Sequence, residues 1–333
     1  MRLKFNYLLP FLALATFTSC DDIDLVIVPE PTLFTVQPFA QNLTLPIGMS
    51  FDGQGRAWVT ESGTGKNDAR VSLITPDGKV YPAFTGFTSV IANGAVEGIG
   101  HVLYHEGILH ILDGGAGKLY SVDVTAFKPG DAPQTAQTLI GEDIGSFVRA
   151  QMLTNPINTN LYNLTLGPND NLYINDSGAN AIIKRDSKTK ALSVFAKLPN
   201  IAATVEAVPT GIVYDGKQFY VSTLSGFPFT PGAAKIYRVD LAGNVSDYKT
   251  GFTTLTDIAL SANDKPIVIQ YVSRFSLMPP TIGFLPNTGQ VVNSAGTPLL
   301  IDNLDRPTDI ERVNDRTYYV LSTGDGTLKK LTF

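Results

Sequence analysis
All three histidines of this 333-residue chain fall in one stretch, "HVLYHEGILH", from His101 to His110. A helical zinc site needs two histidines four apart with a glutamate beside the first, so that both imidazoles share one face. Here His105 and His110 are five apart with Gly107 between them, in a segment that reads as strand, turn and strand. That spacing does not make a zinc site. Other catalytic signatures are missing too: no G-x-S-x-G elbow, no G-x-x-x-x-G-K-[ST] loop and no D-x-[DN]-x-[DN]-G calcium loop occurs.

What remains is a set of oxygen-bearing side chains at one recurring position. A pattern of small or acidic residue, apolar strand, polar turn and second strand starts at Pro46, Val96, Leu161, Pro209, Leu255 and Pro307. Its third residues are Gly48, Gly98, Asn163, Gly211, Asp257 and Asp309. At or beside them stand Glu97, Asn163, Thr210, Asp257, Thr308 and Asp309. Two or three of these carboxylates with an amide oxygen would suit a hard cation such as calcium. The alternative is that these groups cap strand ends and bind water in a wet channel. A second set, Glu61, Asp113, Asp176, Thr223, Gln270 and Thr323, closes the second strands and is expected to accept backbone N–H groups.

The elements that must position these groups follow from the period. Units of about 50 residues are the size of a four-stranded propeller blade, and six copies predict an all-β, six-bladed β-propeller. It would form one domain over residues 33–333, with the segment 33–39 ("LFTVQPF") supplying the fourth strand of the last blade and leaving no free edge. One helix is expected over 142–153, with Ile144, Phe147, Val148 and Met152 as its apolar stripe. Arg149 lies at the edge of that stripe, facing either a channel mouth or solvent. The loop "TLSGFPFTPG" carries Phe227 and Phe229 around Pro228, either packed on a neighbouring blade or the helix, or forming a ligand-contacting lip.

Residues 1–19 read as a signal peptide: Arg2 and Lys4, then the apolar run Tyr7 to Phe17, too short to span a bilayer. Cys20, the sole cysteine, follows at the cleavage point and resembles a bacterial lipobox cysteine. This implies a lipid-anchored protein of the cell envelope, at the outer membrane on its periplasmic or surface face, with residues 20–32 as an acidic, proline-containing tether. With one cysteine no disulfide forms within the chain. Cleavage leaves an excess of seven acids, and no basic cluster invites nucleic acid. The domain is read as a monomer.

The segments "IGSFVRAQ", "YNLTLGPNDNLYINDSGANAI", "VPTGIVYDGKQFYVSTLSGFPFTPGAAKIYRV" and "GFTTLTDIAL" resemble the ScyD/ScyE family over about Leu45 to Ala259. Members are propellers of the NHL and gluconolactonase-like kind with no established activity. The related gluconolactonase and senescence-marker propellers hold a divalent cation through Glu, Asn and Asp. That comparison implies the same role for Glu97, Asn163 and Asp257, although Glu97 aligns one residue out of register. Two readings follow. The leading one is an envelope binding or scaffold module for a small molecule, glycan or protein; the other is a calcium-dependent, lactonase-like hydrolase with Asp309 as a further ligand.

Overall fold
A computed structural model describes residues 28–92, 94–276 and 283–333. Cys20, the signal segment and most of the tether lie outside the described residues. Alternating apolar positions, with β-branched and aromatic residues after each turn, make strands. Asn169 and Asp264, which tolerate left-handed backbone, help to turn the first strand of a unit into the second. Six four-stranded blades result.

The inner strands are Pro46–Phe51, Ala95–His105, Leu161–Leu166, Pro209–Tyr214, Leu255–Leu260 and Pro307–Asn314. Each lies beside the next and the last lies beside the first, so the blades form a ring. We call the face where these strands begin the upper face, and the face where they end the lower. Six buried apolar clusters fill the six gaps between neighbouring blades; Trp58, Phe84 and Phe87 of the first blade, for example, meet Val102 and Ile111 of the second. Burial between blades, not within one, is therefore the main source of stability.

Thr35–Ala40 pairs antiparallel with Thr327–Thr332 and completes the sixth blade. It begins two residues later than the expected 33–39, because Phe34 turns inward against Tyr318 and Phe333 at ring distances of 5.2 and 5.8 Å. Ahead of it, Glu30 accepts hydrogen bonds from Asn263 Nδ2 at 2.8 Å and Ser261 Oγ at 3.1 Å. The chain thus arrives from the lower face.

The helix is shorter than the sequence suggests: it spans Gly145–Ala150. Gly141–Asp143 is instead the fourth strand of the second blade, paired with Lys118–Tyr120. Asp143 Oδ1 then accepts the Ser146 N–H at 2.9 Å, starting the helix there. Ile144 and Val148 are buried as expected, but Met152 has a φ of 49° and is 71% exposed, since the helix has already ended. Two further additions were not foreseen: the strand Ser89–Ala92 makes a hairpin with the start of the second inner strand, and Gln134–Thr135 extends the first blade at its outer edge.

Removing every residue up to Ala40 should leave the sixth blade with an exposed edge and the Phe34 pocket empty. We expect a loss of roughly 3 kcal/mol or more in urea unfolding, together with self-association in size-exclusion chromatography. A truncated chain that stays monomeric and melts like the full one would show that the closing strand is dispensable.

Candidate functional site
Five of the six register residues fall where the repeat places them, and one does not. Strand pairing puts Pro46, Ile99, Leu161, Pro209, Leu255 and Pro307 at equivalent positions, so the third residue in the second blade is His101, not Gly98. Gly98 and Glu97 belong to the hairpin above it, opposite Ser89 and Val90. The apolar residue that follows the register position in "PIGM", "IGHV", "LYNL", "PTGI", "LTDI" and "PTDI" also follows Gly98 in "VEGI", so the tetrapeptides do not separate the two placements.

The ring of Gly48, His101, Asn163, Gly211, Asp257 and Asp309 is bonded both around and across the channel. Around it, Asp309 Oδ2 accepts the Met49 N–H at 2.7 Å, and Asp257 Oδ2 accepts the Ile310 N–H at 3.0 Å. Across it, Asn163 Nδ2 donates to Asp257 Oδ1 at 2.8 Å, and His101 Nδ1 lies 3.0 Å from Asp309 Oδ2. Gly48 and Gly211 are required because the next blade comes so close: a Cβ would sit 2.5 Å from His101 Cα and 2.6 Å from Asp257 Oδ1.

Burial sets the charges in this ring. It pushes His101 down to about 4, against the pull of the Asp257 charge, so the imidazole is neutral at pH 7. It raises Asp309 to about 7, against the hydrogen bonds from the Met49 N–H and with Asp257, and holds Asp257 and Glu311 well above the usual carboxylate range, where the Asp309 charge further disfavours their ionisation. The His101–Asp309 contact is therefore a hydrogen bond of a neutral imidazole and not an ion pair. His101 Nε2 and Asp309 Oδ1 are left without a partner among the described residues.

Two cavities open on this ring from opposite faces. The upper one, about 540 Å³, is lined by Tyr162, Tyr271, Phe284, Arg306, Glu97 and Thr308, among others. The lower one, about 300 Å³, is lined by Asp257, Asp309 and Glu311 between apolar walls that include Leu103, Ile212 and Leu260. Between them, the His101 and Tyr162 rings lie against each other at 4.9 Å. Arg306 is held in a two-point pair with Asp305, at 2.9 and 3.5 Å.

The expected calcium ligands are thus not brought together. Glu97 lines the upper cavity, while Asp257 and Asp309 line the lower one. Asn163 points its amide nitrogen at Asp257 and spends its oxygen on the Leu164 N–H at 2.7 Å. Among the described residues no group of three or more His, Cys, Asp or Glu side chains is arranged to hold a metal ion. The donor set does not fit a cation cradle built on Glu97, Asn163 and Asp257.

Arg149 is exposed and bonds its own helix through Ser146 Oγ at 3.2 Å, away from both cavities. His110 pairs with Ser121 across the strands at 2.8 Å and does not meet His101. The second-strand ring does structural work: Glu61 accepts the Thr44 N–H at 2.6 Å, Asp176 the Asn160 N–H at 2.7 Å and Gln270 the Thr253 N–H at 2.8 Å. Each fixes the chain as it enters an inner strand. Phe229 packs on the neighbouring blade, against Phe284 and Phe275 at 5.1 and 5.9 Å, and not under the helix; Phe227 is 74% exposed.

Known structures share this architecture. The chain is similar to a gluconolactonase from Xanthomonas campestris (TM-score 0.58, 12% identity, covering 90% of this chain and 89% of that one). It is similar to virginiamycin B lyase from Staphylococcus aureus (TM-score 0.51, 14% identity, 90% and 99%). A protein of unknown function from Bacteroides thetaiotaomicron is a third (TM-score 0.58, 13% identity, 90% and 76%). At these identities the likeness is one of fold. No family profile and no curated protein matches the sequence.

Asp309→Asn replaces a buried acid by its neutral isostere. A carboxyl raised in the folded state stabilises it below the unfolded value near 3.8, and that contribution is lost as pH rises to about 7. His101, lowered to about 4, acts in the opposite direction between about 4 and 6.5 and flattens the wild-type profile. The stability of Asp309→Asn relative to wild type should therefore climb between pH 4 and 7, by about 2–4 kcal/mol, and then level off. Parallel profiles in pH-dependent urea unfolding would mean that Asp309 ionises normally.

Proposed function
We propose that this protein is a lipid-anchored propeller of the ScyD/ScyE kind at the cell envelope, and that it binds a small organic ligand in its upper cavity without transforming it. One observation carries the reading: the upper cavity gathers three aromatic rings with Arg306 and Glu97, whereas Asp257 and Asp309 open toward the opposite face. Aromatic walls with few polar groups describe a binding pocket. A ligand there meets Glu97 but lies away from Asp257 and Asp309, the other carboxylates that a lactonase would use. The kinship in fold with a gluconolactonase and a lyase keeps a hydrolase as the competing outcome.

The tether reading adds an orientation. Glu30 and the Val28 carbonyl are bonded to Asn263 on the lower face. An anchor at Cys20 therefore sets the lower cavity toward the membrane and the upper cavity away from it. The exposed mouth then meets ligands arriving from the aqueous side.

A panel of aromatic and lactone compounds, gluconolactone included, should contain members that raise the melting temperature of the wild type, because a ligand specific to the folded state stabilises it. Tyr162→Ala should abolish the shift. Gluconolactone should be left unhydrolysed with or without millimolar calcium; turnover that disappears in Asp257→Asn would replace the binding reading with the hydrolase. Separately, Cys20→Ser should move the protein from the detergent phase to the aqueous phase on expression in a bacterial host. A wild type already found in the aqueous phase would remove the anchor.

A further inference from the structure
Outboard of the central mouth, the upper face carries a second cavity of about 590 Å³, between the third and fourth blades. Its wall includes Asn155, Lys197, Asn200, Thr204, Glu206 and Phe227. Lys197 is committed, donating to the Leu153 carbonyl, and the Asn200 oxygen is 3.5 Å from Asn180 Nδ2. Among the described residues the Glu206 carboxylate, the Asn155 amide and the Thr204 hydroxyl make no hydrogen bond or ion pair. The groove therefore presents a carboxylate, two amides and a hydroxyl with bonding capacity to spare.

Phe227 stands over these groups at 74% exposure, yet it is not a loose side chain. Its ring meets Phe229 edge to face, at 6.1 Å and 87°. Phe229 is itself held by Phe284 at 5.1 Å, and Phe284 by Tyr271 at 5.2 Å in the wall of the central mouth. Pro228 and Pro231 stiffen the loop. An aromatic ridge thus fixes one ring with a face open to solvent, so little ordering entropy is left to lose on binding.

We propose that this groove is a saccharide-binding site, with Phe227 as the platform. A sugar ring offers what such a wall can use: an apolar face of C–H groups to lie on the phenyl ring, and a rim of hydroxyls to meet the amides, the hydroxyl and the Glu206 carboxylate. A cationic ligand would call for several rings around it, and only one is exposed here. A polyanionic chain would meet the Glu206 charge. The occupant is therefore a neutral oligosaccharide.

The test is calorimetric titration of the whole protein with cellohexaose, xylohexaose and mannohexaose. At least one should bind, and Phe227→Ala should weaken it tenfold or more without moving the melting temperature, since the ring is exposed. Glu206→Gln should change affinity less, because the amide still bonds hydroxyls. Tyr162→Ala, which disables the central cavity, should leave hexaose binding intact, so failure of the groove and failure of the mouth are told apart. No binding of any hexaose to wild type, or equal binding by Phe227→Ala, overturns the proposal.

Discussion
At the channel wall the ring of blades depends on one kind of polar contact: the beginning of an inner strand is satisfied by its neighbour. Thr210 Oγ1 donates to the Leu255 carbonyl at 2.9 Å, Thr256 to Pro307 at 2.7 Å and Thr308 to Pro46 at 3.2 Å. Asp257 and Asp309 do the complementary work, accepting the N–H groups of Ile310 and Met49. These backbone groups lie at the channel wall, where no strand partner can reach them, and an unpaired buried group costs about 1–3 kcal/mol. The carboxylates are therefore occupied by the fold before any ligand arrives. Burial raises their proton affinity even so, against the lowering effect of the N–H groups they accept.

Much of this was legible. The six-fold period, the two turn-rich strand halves and the terminal closure all follow from spacing and residue type, because a blade repeats its hydrophobic alternation and its turn chemistry. The threonines of "PTG", "LTD" and "PTD" and the closing residues Glu61, Asp176 and Gln270 were also visible, and most of that second set does bond backbone N–H groups. What failed was the second blade. The hairpin of Ser89–Ala92 lengthens its inner strand upward, so "VEGIG" imitates the repeat three residues too early. Local pattern cannot tell an inserted hairpin from the strand it extends. The helix was overdrawn for a related reason: Glu142 and Asp143 suit a helix start, but an open strand edge at Lys118–Tyr120 claims them first.

The two ends of the channel differ in kind. Above the His101–Tyr162 layer the walls are aromatic, Arg306 is already paired with Asp305, and burial raises the proton affinity of Glu97. Below it the walls are mainly aliphatic and burial raises the proton affinity of the acids. Sequence reasoning gathered Glu97, Asn163 and Asp257 into one site because register reports position along a strand, not which side of a plugged channel a side chain serves. The aromatic ridge from Tyr271 to Phe227 was equally hidden, since its four rings come from two blades.

The closing strand Thr35–Ala40 begins at the lower face and runs along the outer edge of the sixth blade toward the upper one. Any pull on the segment before Glu30 acts along that strand's own axis. Its ladder to Thr327–Thr332 then bears load in shear, with all its hydrogen bonds strained together, rather than peeling one at a time. The seam that joins the two ends of the chain thereby meets such a pull with its whole ladder at once.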